Sequence, residues 1–287
     1  MKKGISYWSF QNSGLSAINA IDNAKIAGFE GIELTLEESG DTLTLNSTDA
    51  QVKDIAGYAK EKGVSIPSIA TGMFWSNSLT ANNDSVAKKA FDIAVRELEL
   101  AAVIGAKTVL IVPGAVDVFF LKDAEIVSYD VVYARSLKAV SKLAKIAEKL
   151  KVNIGLEEVW NKFLLSPLEM RDFIDKIGSK FVGSYFDVGN VVPFGFPEQW
   201  IRILGHRVKA VHLKDFKNTG FDGKTGLVDG FCDLETGDVN WKNVISALKD
   251  IKYDGYLIAE MVPPTSNVSR ENLIPKTSKA MDHILSL

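Results

Sequence analysis

Three acids and a histidine fall, one each, in or just after four successive β-rich runs. Glu157 follows Val152-Asn-Ile-Gly-Leu, Asp187 follows Val182-Gly-Ser-Tyr-Phe, His212 lies in Val208-Lys-Ala-Val-His-Leu, and Glu260 follows Gly255-Tyr-Leu-Ile-Ala. If the runs are strands, side chains alternate between two faces. Glu157 then shares a face with Gly155 and Asn153, Asp187 with Tyr185 and Gly183, His212 with Ala210 and Val208, and Glu260 with Ile258 and Tyr256. Three carboxylates and an imidazole gathered together are costly to leave unpartnered. Either lysines and arginines neutralise them or they hold a divalent cation. Three oxygens and one nitrogen, with no thiolate, suit Mn2+, Mg2+ or Co2+ better than a structural zinc. Taken singly, each residue reads as a helix cap, an ion-pair partner or a satisfied polar group; the set of four favours the cation. By the same alternation Glu158 points outward or sits in the loop and carries no chemistry.

The elements that must position these residues follow from a strand-then-helix rhythm. Eight short β-rich runs begin at Gly4, Gly31, Val64, Thr108, Val152, Val182, Val208 and Gly255. Between them, segments such as Ala87 to Ile104 and Tyr133 to Leu150 repeat apolar residues every three to four positions, as amphipathic helices require. Thr48 with Gln51 forms a capping-box signature, and Ser166-Pro167 supplies a capping hydroxyl followed by an N1 proline. "AGFEG", "EKGV" and "VIGAKT" place glycine where a helix stops and a strand begins. With no composition shift to mark a linker, the expected architecture is α/β: one (β/α)8 TIM barrel spanning residues 1–287 as a single domain. An open doubly wound sheet is the alternative, but "SYWSFQNSG" lacks the glycine-rich first turn that such folds carry. Barrel enzymes place their chemistry at the carboxyl ends of the strands, where the four residues lie.

Composition narrows the function. A net charge of -3 offers no field to attract a polyanion, so nucleic acid is not an expected partner. No apolar run approaches the roughly 20 residues that span a bilayer, and the amino-terminal "MKKGISYW" has no cleavable apolar core. The single cysteine, Cys232, excludes an internal disulfide framework and a cysteine metal cluster, in keeping with a reducing cytoplasm.

"GLEEVWNKFLLSPLE", "GSYFDVGNV", "AVHLKDF" and "GDVNW…YDGYLIAEM", in that order and spacing, resemble the sugar-phosphate isomerase/epimerase superfamily, the xylose isomerase-like TIM barrels that include ketose 3-epimerases and L-xylulose-5-phosphate 3-epimerase. The resemblance runs from "GFEGIEL" to the last strand. It implies that Glu157, Asp187, His212 and Glu260 bind one divalent metal, Mn2+ first and Mg2+, Co2+ or Zn2+ as alternatives. It further implies that Glu157 and Glu260 are the catalytic pair. A proton beside a ketone is weakly acidic; a cation chelated by the carbonyl and neighbouring hydroxyl stabilises the enediolate, and two carboxylates on opposite faces can remove and return the proton. Return to the same carbon is epimerisation, with the 3-epimerase favoured, and return to its neighbour is aldose–ketose isomerisation. Such an isomerase belongs to carbohydrate metabolism in the cytoplasm and acts on a small sugar or sugar phosphate, with no membrane partner; barrels of this kind often form homo-oligomers.

Asn190, Lys214, Trp8, Phe74 and Trp160 are the expected substrate-binding residues. Asn190 stands where some ketose epimerases carry a histidine, a departure that bears on how the sugar is held. Lys214 could reach a substrate oxygen or pair with Asp187, Asp215 or Glu260. The aromatics could wall the pocket. Glu33 reads as structural. Lys217 to Asn240 is long for a βα loop and reads as a lid or substrate loop, with an ordinary surface insertion as the alternative, and Lys217, Lys224 and Arg270 are the cations available to a phosphate. Rival readings are a metal-dependent lyase or dehydratase of an inosose-like or dehydroshikimate-like substrate, and a non-catalytic sugar-binding or partner-subunit barrel. A three-zinc DNA-repair nuclease needs more histidines than the three present.

Overall fold

A computed structural model describes residues 1–10, 15–118, 120–218, 230–261 and 272–287. Eight strands form the ring: β1 (Lys2–Ser6), β2 (Gly31–Glu37), β3 (Ser68–Ala70), β4 (Thr108–Ile111), β5 (Asn153–Glu157), β6 (Val182–Asp187), β7 (Val208–Leu213) and β8 (Tyr256–Ala259). Each pairs in parallel with the next, and β8 pairs with β1 to close the barrel. The longer helices between and after them are α1 (Ala17–Ile26), α2 (Asp49–Lys62), α3 (Asp84–Ile104), α4 (Tyr129–Leu150), α5 (Pro167–Ile177), α6 (Pro197–Leu204), α7 (Trp241–Asp250) and α8 (Leu273–Ser286).

The expected helix signals act as chemistry predicts. Thr48 and Gln51 cap α2 reciprocally, and Ser166 Oγ accepts the Glu169 N–H with Pro167 opening α5. Gly63 and Gly105 end α2 and α3 with φ of 68° and 87°, a conformation that costs a side chain energy and glycine nothing. β1 and β3 have other bounds than their β-rich runs. β1 stops at Ser6, and Tyr7–Phe10 turns into a 3-10 helix. β3 begins only at Ser68, because Pro67 has no N–H to give the ladder.

Ile32, Leu34, Val109, Ile111, Ile154 and Leu156 are fully buried outside the ring under the helices, each contributing about 1.5–3 kcal/mol. Inside, the register places Gly155 against Gly183, Glu157 against Tyr185, and Asp187 against His212. Gly155 makes room for the wholly buried Tyr185: a Cβ there would lie 2.8 Å from Tyr185 Cβ. The alternation expected back along β7 to Val208 is broken. Ser184 faces Val208 while Tyr185 faces Ala210, so Lys209 is the extra residue of a β-bulge.

Candidate metal centre

Glu157, Asp187, His212 and Glu260 converge. Each offers one ligand atom, and those atoms all lie within 4.8 Å of one another at the carboxyl ends of β5 to β8. His212 Nδ1 is 2.9 Å from Glu260 Oε2, 3.5 Å from Glu157 Oε1 and 3.9 Å from Asp187 Oδ2. All four side chains are buried, Asp187 and His212 completely.

Local structure sets each one. Asp187 ends β6 and caps the short helix Val188–Val191: its Oδ1 accepts the N–H groups of Gly189 and Asn190, which turns Oδ2 to the centre. Glu260 follows β8, where its N–H bonds Leu213 O; Ser9 Oγ, donating to Ala259 O and accepting the Met261 N–H, stitches this strand end to the start of the chain. His212 is held from behind by Glu33, whose Oε1 is 2.9 Å from Nε2. Glu33 Oε2 in turn accepts from Tyr185 Oη and from Ser68 Oγ at 2.8 Å. Expected to be structural, Glu33 is thus the carboxylate that orients the imidazole, the arrangement by which proteins present a histidine to a metal. In sequence it lies 179 residues from His212, and its only signal is a charge in the interior of an apolar strand.

Asp187 Oδ2, His212 Nδ1 and Glu260 Oε2 are buried and make no hydrogen bond of acceptable geometry, although they face one another. Among the described residues Lys214 contributes the one ammonium here, 3.1 Å from Asp187 Oδ2 and 2.9 Å from Glu260 Oε2. Of its expected partners it takes these two; Asp215 instead accepts the N–H groups of Phe216, Gly237 and Val239 and of the Trp241 indole. With the imidazole neutral, as a metal ligand must be, the three carboxylates and the Lys214 ammonium leave a formal charge of -2 among the described residues, which one divalent cation balances. Buried ligand atoms that face one another without a well-formed hydrogen bond, an all O and N donor set and this charge deficit fit a divalent metal.

The carboxylates differ in electrostatics. Burial pushes Glu157 up to about 7, against the lowering effects of His212 and Lys214. Burial acts on Glu260 too, but Lys214 and His212 outweigh it and hold Glu260 down at about 2. Burial opposes the charged forms of His212 and Lys214 as well; Glu33 and Glu260 overcome it at His212, and Asp187 and Glu260 overcome it at Lys214, so both stay cationic above their usual ranges.

Glu158 sits in the loop after β5, one of the two placements expected, and only the outward alternative is corrected. It is buried, not outward: Oε1 accepts the Asp187 N–H, while Oε2 has no hydrogen-bond partner. β5 ends at Glu157, so strand alternation no longer governs the next residue, which turns sideways onto the end of β6. Burial holds its carboxyl well above the usual range despite the Asp187 N–H.

A cavity of ≈ 330 Å³ opens over the ligands, with Glu157, Glu260, Lys214 and Asn190 at its base and Trp8, Trp75, Phe120, Trp160 and Phe231 around it. Trp160 donates its indole N–H to Asn190 O and stacks on Phe231 at 4.9 Å. Asn190 Nδ2 donates to Glu158 O. Of the expected substrate residues, Trp8, Trp160, Asn190 and Lys214 line this cavity. Phe74 is packed in the core, and its neighbour Trp75 lines the cavity in its place: a 3-10 turn over Gly72–Trp75 replaces the strand end from which Phe74 would have pointed inward. Part of the expected lid, residues 219–229 with Lys224, and Arg270 lie outside the described residues; Lys217 pairs with Asp238. Among the described residues no helix is long and apolar enough to cross a membrane.

A closed parallel barrel carrying a carboxylate–histidine cluster at its carboxyl rim defines the class: residues 21–284 match the family model of the xylose isomerase-like TIM barrel, and the chain belongs to that family. Within it, the chain is 25% identical over 249 residues to a D-psicose 3-epimerase of Enterocloster bolteae, covering 84% of this chain and 75% of that one. It is 22% identical over 277 residues to the L-ribulose-5-phosphate 3-epimerase UlaE of Escherichia coli O8, covering 91% and 86%. Among solved structures, the IolI protein with a bound zinc atom superposes with a TM-score of 0.79 at 16% identity, over 100% of this chain and 98% of that one, a likeness of fold.

Proposed function

We propose that this chain is a divalent-metal-dependent 3-epimerase of a ketose or ketose phosphate. The observation that carries the reading is the meeting of four ligand atoms within 4.8 Å, three of them buried without a hydrogen bond, at the base of an aromatic-walled cavity. The relatives named as 3-epimerases of a free ketose and of a ketose phosphate support the reaction class and leave both substrate types in play.

Glu157, Asp187, His212 and Glu260 would hold the cation. Bound there, it supplies Lewis-acid polarisation of the substrate carbonyl. Glu157 and Glu260 are the base and acid. One takes the proton from the carbon beside the carbonyl, leaving an enediolate, and the other returns a proton to the opposite face of that carbon. Lys214, already against Asp187 and Glu260, offers an ammonium to a substrate oxygen, and Asn190 offers a side chain fixed by Glu158. The tryptophans present faces suited to the apolar side of a sugar and keep water from the reacting carbon.

The test is metal analysis of the purified protein, then incubation of ketoses and ketose phosphates with Mn2+ in deuterated water, using wild type, Glu157→Gln and Glu260→Gln. Deuterium should appear at C3 together with the epimer, and both variants should lose roughly 10²–10⁴-fold in turnover. Full activity after chelation, or in both variants, would refute the mechanism. Deuterium exchange accompanied by loss of water from the substrate would replace epimerisation with lyase chemistry.

A further inference from the structure

We propose that the opposite mouth of the barrel is a second ligand site, shaped for a small multivalent oxyanion such as a phosphorylated metabolite. A cavity of ≈ 810 Å³ opens among the amino-terminal ends of the strands, within the size range of small-molecule sites. It is lined by four lysines, Lys2, Lys60, Lys107 and Lys209, and by no carboxylate. None of the four forms an ion pair among the described residues; Lys2 lies 5.6 Å from the centre of the Tyr256 ring, itself in the lining.

Lys209 is the part of this arrangement that looks built. As the extra residue of the β7 bulge it leaves the regular alternation, and its stem crosses Gly183 of β6, where a Cβ would lie 2.6 Å from Lys209 Cγ. Bulges re-aim side chains in this way, and here the result is a half-buried ammonium in a cavity. Burial depresses its pKa and no acid opposes the effect. At this end of a barrel the usual task is stability, and four lysines around one cavity with no carboxylate in its lining do little for it. An anion of two or more charges supplies the counter-charge that the lining lacks and accepts charge-assisted hydrogen bonds from lysine ammoniums. Ser68 lines this cavity and also donates to Glu33, so one hydrogen-bonded layer separates it from the metal centre.

The probe is pyrophosphate, measured by equilibrium binding at low ionic strength with divalent cations dialysed away so that chelation does not compete. Wild type should bind saturably, and more weakly as salt rises. Lys209→Met and the double variant Lys60→Met/Lys107→Met should each bind about tenfold more weakly or worse, whereas Lys214→Met, altered at the opposite mouth, should bind as wild type does. Lys60 and Lys107 are exposed, so the double variant decides the matter if Lys209→Met does not fold. Wild-type affinity in the double variant, loss of binding in Lys214→Met, or no saturable binding by wild type would each overturn the proposal.

Discussion

Replacing Glu33 by glutamine tests whether the metal centre depends on an acid that touches none of its ligand atoms except through histidine. A carboxylate oxygen can only accept, so Glu33 Oε1, 2.9 Å from Nε2, keeps a proton on that nitrogen and turns the Nδ1 lone pair toward Glu157 and Glu260 once the imidazole is neutral. Glutamine can be fitted two ways. Tyr185 and Ser68 both donate to Oε2, so the amide oxygen belongs on that side and the NH2 faces His212. The imidazole must then accept at Nε2, carry its proton on Nδ1 and lose its capacity to ligate. Loss of such an outer partner typically costs about 10–100-fold in metal affinity, or roughly 1.4–2.7 kcal/mol, and the forced tautomer places this variant near the upper figure. The assay is Mn2+ or Zn2+ competition against a chromophoric chelator, with metal-free thermal melting to establish that the variant is folded. A folded Glu33→Gln protein whose metal affinity lies within threefold of wild type would refute the reasoning.

Proton competition predicts that metal affinity rises with pH through the region of Glu157, about 7, and of the elevated His212, because both must release protons to ligate; a flat affinity between pH 6 and 8 would contradict it. Lys214→Met removes the ammonium from Asp187 and Glu260, so chelator competition should show metal binding at least as tight as wild type while turnover falls; weaker binding would mean that the lysine supports the centre rather than opposing its charge. Glu97 on α3 is wholly buried, has no hydrogen-bond partner for either oxygen, and is held well above the usual carboxylate range by burial and by Glu33. A raised folded-state pKa means that the native chain keeps a proton the unfolded chain releases, so this residue destabilises increasingly as pH rises above the ordinary range. Glu97→Met should therefore stabilise by about 1–3 kcal/mol in denaturant unfolding at pH 7, and by less at pH 4.5. Gly155→Val would press on Tyr185 from 2.8 Å and should cost about 1–3 kcal/mol or more, read as a lower melting temperature together with weaker metal binding.

How much of this molecule is legible without coordinates depends on the range of the interaction. Thr48 with Gln51, Ser166-Pro167, Gly63 and Gly105 are local devices, and each acts where the spacing says. Glu157, Asp187, His212 and Glu260 could be read because strand alternation and a closed parallel barrel bring successive strand ends to one rim. Phe74 does not line the cavity because the segment after β3 winds into a 3-10 turn that offers Trp75 instead, and Glu158, in the loop past the end of β5, is buried because it turns onto the end of β6. Glu33 escaped because its importance lies in a contact with a strand on the other side of the ring. The Lys209 bulge escaped because a bulge is a mismatch between two strands and has no signature in either alone.

Periodicity, caps and breakers are set by each residue's own conformational preferences and near neighbours, so the sequence by itself determined the barrel, its helices and which strand ends carry the three acids and the histidine. Closure of the ring decided the rest: the distances among the four ligand atoms, the orientation of His212 by Glu33, the ammonium of Lys214 among the acids, and the lysine-lined cavity at the far mouth. Those features depend on through-space separation between groups distant along the chain, and only packing sets that separation.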